Sequence, residues 1–481
     1  MFFSTLFAIF AGVLAWFGYE LRPVETKLKD PVWMRADYEA RKQALIKTIA
    51  ARTADSVLAI GGKKTTNLFR FRKQPKKATR LDVSSFNNVI HVDQEKMIVE
   101  VEGMTTYERL VDATLAAGVM PTVVPELKSI TIGGAISGIG VESSSYKYGF
   151  VHETVLEMEI LLCNGTVAVC SREQNSDLFF GMANSYGTLG YVLKVKVKVV
   201  PVKKYVQVRH IRFNNMKDYF AAVEEHCKTN RPDFVDGAIF NPTEMYLSLA
   251  TFCDELPHDV KKPSDYSWMG IYYRSLQNKS VDYLTNKMYI WRWDYDWFWN
   301  SKYFHMQHPV LRFLFGRWVL RSTIFMKVFR AFHRSGLYDS KRRELVIQDV
   351  EIPIQNCVSF MEFFNKEVGL PNDFYPVWIC PVRTYDQSVV YPLYKIHPTD
   401  LYVNFGFWDG VAVRDNQPGL INKMIENSVR DLKGKKSLYS SGHYEETEFW
   451  QEYNRPAYDA LRTKYHATSL LDLYQKCVAA N

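Results

Sequence analysis

Three features of this 481-residue chain predict an α+β protein with two folded lobes behind an N-terminal membrane anchor. They are a glycine-rich run at 131–149, an alternation of strands and capped helices around it, and an uncharged apolar stretch at 1–19. The run reads TIGGAISGIGVESSSYKYG and places Gly133, Gly134, Gly138 and Gly140 within eight residues. Glycine lets a backbone pass close to a ligand, and converging backbone N–H groups suit a pyrophosphate. The spacing is neither the G-x-G-x-x-G fingerprint nor a P-loop, since no G-K-[ST] follows. An ordinary glycine-rich turn of a β protein explains the glycines equally well.

The flanking elements are read in chain order. Met97 to Glu102 alternates apolar and charged residues as a half-buried strand does. Thr105 and Glu108 match a capping box, so a helix should open there. Tyr107, Leu110, Val111 and Leu115 would form its buried stripe, with Thr114 at the edge and Gly118 as the stop. Glu157–Leu162, the turn Asn164-Gly165, and Thr166–Cys170 read as a β-hairpin. Tyr191 to Val200 alternates lysine with apolar residues, which predicts a strand with one solvated face.

The order strand, capped helix, VPELKSITIGGAISGIGVESSSYKYG, NG hairpin, NSDLFF and SYGTLGYV resembles the FAD-binding domain of the vanillyl-alcohol-oxidase (PCMH-type) flavoproteins. Within that superfamily, the ESSSYKYG and NSDLF stretches are similar to the Δ24-sterol reductases. The C-terminal FWQEYNRPAYDALRTKYHATSLLDLYQKCV also resembles FAD-linked reductases of methylene-branched fatty acyl chains. The resemblance implies a two-lobed FAD-binding domain followed by an α+β substrate (cap) domain. It implies that Thr131, Ile132, Gly133, Gly134, Ala135, Ile136, Ser137, Gly138, Ile139, Gly140, Val141, Glu142 and Ser143 hold the pyrophosphate and ribityl chain. Lys147, Tyr148 and Gly149 should flank the cofactor, and Ser185, Gly187, Thr188 and Gly190 should form a second contact. Covalent members attach flavin to a histidine after an early glycine turn. The corresponding Ala59-Ile-Gly-Gly-Lys-Lys64 has none, so FAD is expected to be bound non-covalently, with NADPH as the reductant.

Composition agrees. A chain of 481 residues suggests two or three domains, and 47% hydrophobic residues exclude disorder. The net charge of +8 comes without a recognisable nucleic-acid-binding motif. Seven scattered cysteines without a C-x-x-C pair suggest reduced thiols, and neither they nor the eleven histidines form a metal-binding pattern. Residues 1–19, MFFSTLFAIFAGVLAWFGY, are long enough to span a bilayer. Positive charges after the span predict a single-pass anchor with a cytosolic body, at the endoplasmic reticulum in a eukaryote. A cleaved signal peptide fits less well, because no positive charge precedes the apolar run.

The expected organisation is an anchor at 1–19, a juxtamembrane segment at 20–50, the FAD domain at 51–204, and the cap domain at 205–481. In the cap, strands are expected at 244–249, 345–354, 377–382 and 401–407, and helices at 418–432 and 446–465, with helices on one face of an antiparallel sheet. The aromatic segment 289–304 and the cationic, apolar run Leu311–Arg321 suit a hydrophobic pocket wall, a lipid interface or a tryptophan-rich core. Near the flavin, Tyr439, His443 and Tyr444 are the candidate proton donors, with Tyr453, Asn454 and Lys464 nearby in sequence. The expected reaction is reduction of an isolated C=C bond in a lipid, most simply the Δ24 bond of a sterol side chain. Reduction of methylene-branched or unsaturated acyl chains, or an inactive binding protein of this fold, are the alternatives.

Overall fold

The computed structural model describes residues 30–52, 57–61, 78–334 and 342–479. The expected anchor, and Gly62 to Lys64 of the early glycine turn, lie outside the described residues. Among the described residues no helix is long and apolar enough to cross a membrane.

The first lobe is built on a sheet of six strands. Its strands are β3 (Val89–Asp93), β4 (Ile98–Glu102), β8 (Tyr191–Pro201), β6 (Val155–Leu161) and β7 (Val167–Ser171), in that order, with β5 (Val119–Pro121) pairing the end of β8. β1 (Val57–Gly61) and β2 (Ala78–Asp82) form a separate parallel pair. β6, the Asn164-Gly165 turn and β7 form the hairpin read from sequence. The helix Tyr107–Ala116 starts one residue later than its capping box suggests: Thr106, not Thr105, caps Arg109 N. Thr105 instead donates to Asn88 O. Gly118, at φ 72°, follows the helix in the left-handed region.

The lysine face of β8 is solvated only in part: Lys196 keeps a side chain 41% exposed. The helix Pro31–Ala50 covers the face at Lys194, and there the charges pair between helix and sheet. Lys194 meets Glu100 at 3.1 Å and Glu159 at 2.8 Å, Tyr38 donates to Glu159 at 2.9 Å, and Arg41 reaches Glu102 at 2.5 Å. Alternation reveals which face is polar but not whether another element neutralises it. The stretch expected to be juxtamembrane thus contributes a packed helix to this lobe.

The second lobe is an antiparallel sheet of eight strands. Its order is β12 (Val281–Thr285), β9 (Tyr205–Phe213), β11 (Glu244–Cys253), β10 (Phe234–Asn241), β14 (Val377–Arg383), β15 (Leu401–Ala412), β13 (Arg343–Pro353) and β16 (Lys435–Lys436). Side chains alternate across it. Val235, Ile379, Phe405 and Phe407 pack in the core shared with the helices Met216–Thr229, Cys357–Phe364 and Leu420–Asp431. Ala238, Trp378, Cys380 and Trp408 belong to the core of the first lobe. The helix read at 446–465 is two, Glu446–Glu452 and Arg455–Lys464, broken at Asn454, which adopts φ 55° and caps the second.

The chain's end returns to the first lobe. Lys464 and Tyr465 bind Asp177, each at 2.7 Å, and Arg462 donates to Thr188 O at 3.1 Å.

Candidate active site

The glycine loop is closed largely on itself. Residues Ile132–Ser137 form a short helix capped by Thr131, whose hydroxyl accepts from Gly134 N. Hydrogen bonds within the fold engage the N–H groups of Ile132, Gly133, Gly134, Ala135, Gly140, Glu142, Ser144 and Ser145. Those of Ile139, Val141 and Ser143 have no partner among the described residues. Ile139 sits at φ 58°, a genuine outlier for a β-branched residue and a form of strain that gathers at functional sites.

The glycines differ in what they permit. Gly134 is exposed, and a Cβ there would approach only the Thr131 hydroxyl, at 2.8 Å. At Gly138 it would strike Gly134 O at 2.7 Å, and at Gly140 the Val151 side chain at 2.8 Å. Gly134 is therefore a surface that a ligand can approach, whereas Gly138 and Gly140 also serve internal packing.

Tyr186 links this loop to the 184–190 turn, donating its hydroxyl to Gly138 O at 3.0 Å and its N–H to Ser137 O at 2.9 Å. It lies between residues singled out from sequence. Ser185 and Thr188 are fully buried and bond each other, and Gly190 packs on Leu161 O. Gly187 supplies a φ of 70°. Lys147 pairs with Asp233 of the second lobe at 3.7 Å, Tyr148 is half-buried, and Gly149 adopts φ 76° beside Glu153.

Two clusters of buried acids lie at the seam between the lobes. In the first, Arg292 bonds Asp236 at 2.8 Å and Ser143 Oγ at 3.3 Å, and lies 3.6 Å from Glu142. Trp293 Nε1 also donates to Asp236, at 2.8 Å. Glu126 is nearby, its carboxyl pushed well up by burial and then by Glu142. In the second cluster, β13 presents Asp349 and Glu351 on one face. Asp349 accepts from Asn404 at 3.0 Å and from Tyr439, and burial raises its pKa to about 6. Glu351 accepts from Tyr394, and burial lifts it to about 8. Tyr439 Oη accepts from Trp408 Nε1 at 2.8 Å. Burial, and then Asp349, hold this phenol well above its ordinary pKa.

The aromatic segment builds the wall beside Tyr439. Phe298 lies 4.2 Å from Trp408, centroid to centroid, and 5.5 Å from Trp378; Trp299 is 5.5 Å from Trp408. Asp296, Trp297 and Phe298 all have positive φ, at 65°, 46° and 59°. Left-handed geometry costs about 1–2 kcal/mol for each such residue. Arg312 offsets that by gripping Asp296 at 2.6 and 2.9 Å. Trp291, Trp293 and Trp299 are buried, so most of this segment is packed core, with Tyr303 at its exposed end.

An FAD binding domain model matches residues 38–171, which include the glycine loop. This chain carries an FAD-binding domain. It is 26% identical over 409 residues to human Δ24-sterol reductase, covering 82% of this chain and 77% of the relative. Against the Arabidopsis thaliana Δ24-sterol reductase the identity is 26% over 432 residues, covering 82% and 76%. Cytokinin dehydrogenase 3 of the same plant matches 155 residues at 29%, covering 31% of this chain and 29% of that protein. The chain resembles the Δ24-sterol reductases, and it is an FAD-dependent oxidoreductase.

The residues present fit FAD. The open surface at Gly134 and the unpaired N–H groups of Ile139 and Val141 suit its pyrophosphate. Across the seam, Asn404 Oδ1 is buried without a partner among the described residues, and Gly406 leaves the sheet without a side chain. Of the three candidate proton donors, Tyr439 reaches this seam. His443 lies against Gly419, its N–H on Glu426, with burial lowering its pKa to about 4. Tyr444 packs on Phe449 and Tyr453. Tyr453 donates to Lys436 O, Asn454 caps a helix, and Lys464 is paired at the surface. Sequence reasoning missed Asp349, Glu351, Asp236 and Arg292. A buried acid on a strand carries no local signature, although the i, i+2 spacing of Asp349 and Glu351 in an apolar strand was visible.

Proposed function

We propose that the chain reduces an isolated C=C bond in a lipid, with the Δ24 bond of a sterol side chain as the preferred substrate and NADPH as electron source. The observation that carries this reading is the Asp349–Tyr439–Trp408 cluster in an aromatic seam opposite the glycine loop, in a chain that resembles the Δ24-sterol reductases. The proposed flavin contacts are Gly134, Ile139 and Val141 for the pyrophosphate, with the seam between Tyr186 and the sheet face at Asn404 and Gly406 for the ring. The FAD is taken to be non-covalent. When bound and reduced, FAD supplies a hydride to one carbon of the double bond.

The other carbon needs a proton, and an alkene without a carbonyl needs a strong donor. The Tyr439 phenol alone is a weak acid, because burial and Asp349 raise its pKa. A carboxylic acid at Asp349 corrects this. Its proton passes to Tyr439 Oη as the Oη proton goes to the alkene carbon, leaving the Asp349 carboxylate; Trp408 Nε1 steadies the oxygen throughout. Phe298, Trp299, Trp378 and Trp408 exclude water, which would otherwise quench the cationic carbon, and offer their π faces to it.

Anaerobic stopped-flow tests the reading. NADPH should bleach the flavin, and a Δ24-unsaturated sterol should restore its absorbance with formation of the saturated product. Restoration by methylene-branched acyl lipids, with none by the sterol, would move the substrate to the acyl class. Turnover of an alcohol or sugar with oxygen alone would overturn the reductase assignment, and a purified chain without flavin would point to an inactive binding protein.

A further inference from the structure

The helix Pro309–Val319 is built inside out. Its one charged residue facing inward, Arg312, is 1% exposed, paired to Asp296 and bonded to Gly270 O. Its apolar residues Val310, Phe313 and Leu314 are 58%, 59% and 50% exposed. With Arg317 they occupy positions i, i+3, i+4 and i+7, which form one stripe on a helix. Leu311 and Phe315 pack against the core instead, so the stripe is the face turned away from the protein. Trp268 extends it: its ring lies 5.3 Å from Phe313, its Nε1 donates to Phe313 O, and the Arg317 guanidinium stacks over it at 3.9 Å. Met269, next in the chain, is also exposed.

The stretch of sequence that carries this helix has charge of one sign. Residues 302–334 contain seven lysines and arginines and no aspartate or glutamate. Arg312, Arg321 and Lys302 find acids elsewhere in the fold, at Asp296, Glu108 and Asp409. Arg317 has an aromatic ring as its partner and stands at the rim of the stripe. An apolar stripe edged by tryptophan and arginine matches the boundary between acyl chains and anionic headgroups. A second copy of the chain would set one positive segment against another.

We propose that this outward face docks into the headgroup region of an anionic lipid bilayer. The helix then links the bilayer to the seam through adjoining residues: Arg312 holds Asp296, and the Asp296–Phe298 turn that follows places Phe298 against Trp408. A lipid leaving the bilayer at this helix meets the aromatic wall first. The docking itself does not depend on which lipid is reduced.

The uncharged residues 1–19 can bring the full chain to a vesicle by themselves, so the readout must be local. Six of the seven cysteines are buried and Cys253 is half-buried. A Leu314→Cys change in a Cys253→Ser background therefore gives a selective site for an environment-sensitive fluorophore, and Lys228→Cys, on the far helix Met216–Thr229, gives the control. With phosphatidylcholine vesicles containing phosphatidylserine, the label at 314 should shift to the blue and be quenched by spin-labelled lipids, while the label at 228 stays water-like. Arg317→Glu should weaken the shift, as should added salt. A water-like label at 314 on a chain that floats with the vesicles overturns the proposal. A shift that grows with protein concentration without lipid overturns it in favour of self-association, and a shift indifferent to phosphatidylserine overturns the anionic surface.

Discussion

Asp236 and Asp349 belong to one sheet and one seam, yet their neighbours give them opposite tasks. Asp236 is met by a guanidinium and by Trp293, in a cluster where Arg292 also bonds Ser143 of the glycine loop. That cluster is a latch: it ties the cap sheet to the flavin loop. Asp349 has an amide and a phenol as its partners, and no cation offsets its desolvation. Burial raises the pKa of Asp349 and of Glu351 beside it, which suits that cluster to the proton donation proposed above. The difference teaches that burial alone does not define an acid's role; a paired cation lets an acid tie two elements together, whereas Asp349 has only hydrogen-bond donors to set against its desolvation.

The largest expected effect breaks the latch. Arg292→Met leaves Asp236 and Glu142 buried without their cation, and should cost about 3–5 kcal/mol of stability, measured by denaturant unfolding. Adding Asp236→Leu should recover much of that loss. If the single variant is as stable as the parent, the latch is not what holds the seam.

The next prediction separates the two clusters by function. Tyr439→Phe and Asp349→Asn should each slow alkene reduction by about 10²-fold or more, with flavin reduction by NADPH little changed. In the parent, alkene reduction should decline as pH rises through about 6, where Asp349 loses its proton. Asp349→Asn should abolish that decline. Equal slowing of both half-reactions would indicate a loss of flavin placement instead.

A third test sharpens the account of the glycine loop. Gly134→Ala should lower FAD occupancy with little change in melting temperature, because the helix preference of alanine, about 1 kcal/mol, is opposed by its crowding of the Thr131 cap at 2.8 Å. Gly138→Val should lower both, since its side chain strikes Gly134 O. Full FAD occupancy in Gly134→Ala would place the pyrophosphate elsewhere.

The last test concerns Glu351. Its folded pKa, about 8, lies above the ordinary value of 4.5. The folded state therefore holds a proton that the unfolded state has released between these values, and stability falls as pH rises through that window. Glu351→Gln should remove this slope, so its melting temperature should gain on the parent above about pH 5, with the gain saturating above pH 8. A constant offset at all pH values would mean Glu351 has an ordinary pKa.

Much of the first lobe was legible in the sequence because its signals are local. The Asn164-Gly165 hairpin, the helix ending at Gly118 and the lysine alternation of β8 each express a turn preference or a side-chain period over a few residues. Four of the eight strands of the cap sheet were legible for the same reason, two of them running on well past their expected limits to Ala412 and Cys253, whereas β9, β10, β12 and β16 were not read. Tyr439 could be singled out as a chemical type, but nothing in its own segment distinguished it from Tyr444.

Tertiary structure decided what depends on distant partners. It covered Lys194 on the lysine face of β8 with the helix Pro31–Ala50, because Tyr38 and Arg41 reach acids more than sixty residues away in sequence. It turned Arg312 inward and Phe313 outward, the reverse of what polarity suggests, because Asp296 waits inside. It also drew Asp349 from β13, Trp408 from β15 and Tyr439 from the chain's last hundred residues into one cluster. Local sequence determines period, cap and turn, since these arise from neighbouring dihedrals and side chains. The protonation state of a buried acid is set first by its burial and then by the charges and donors packed around it, and only the folded chain brings those together.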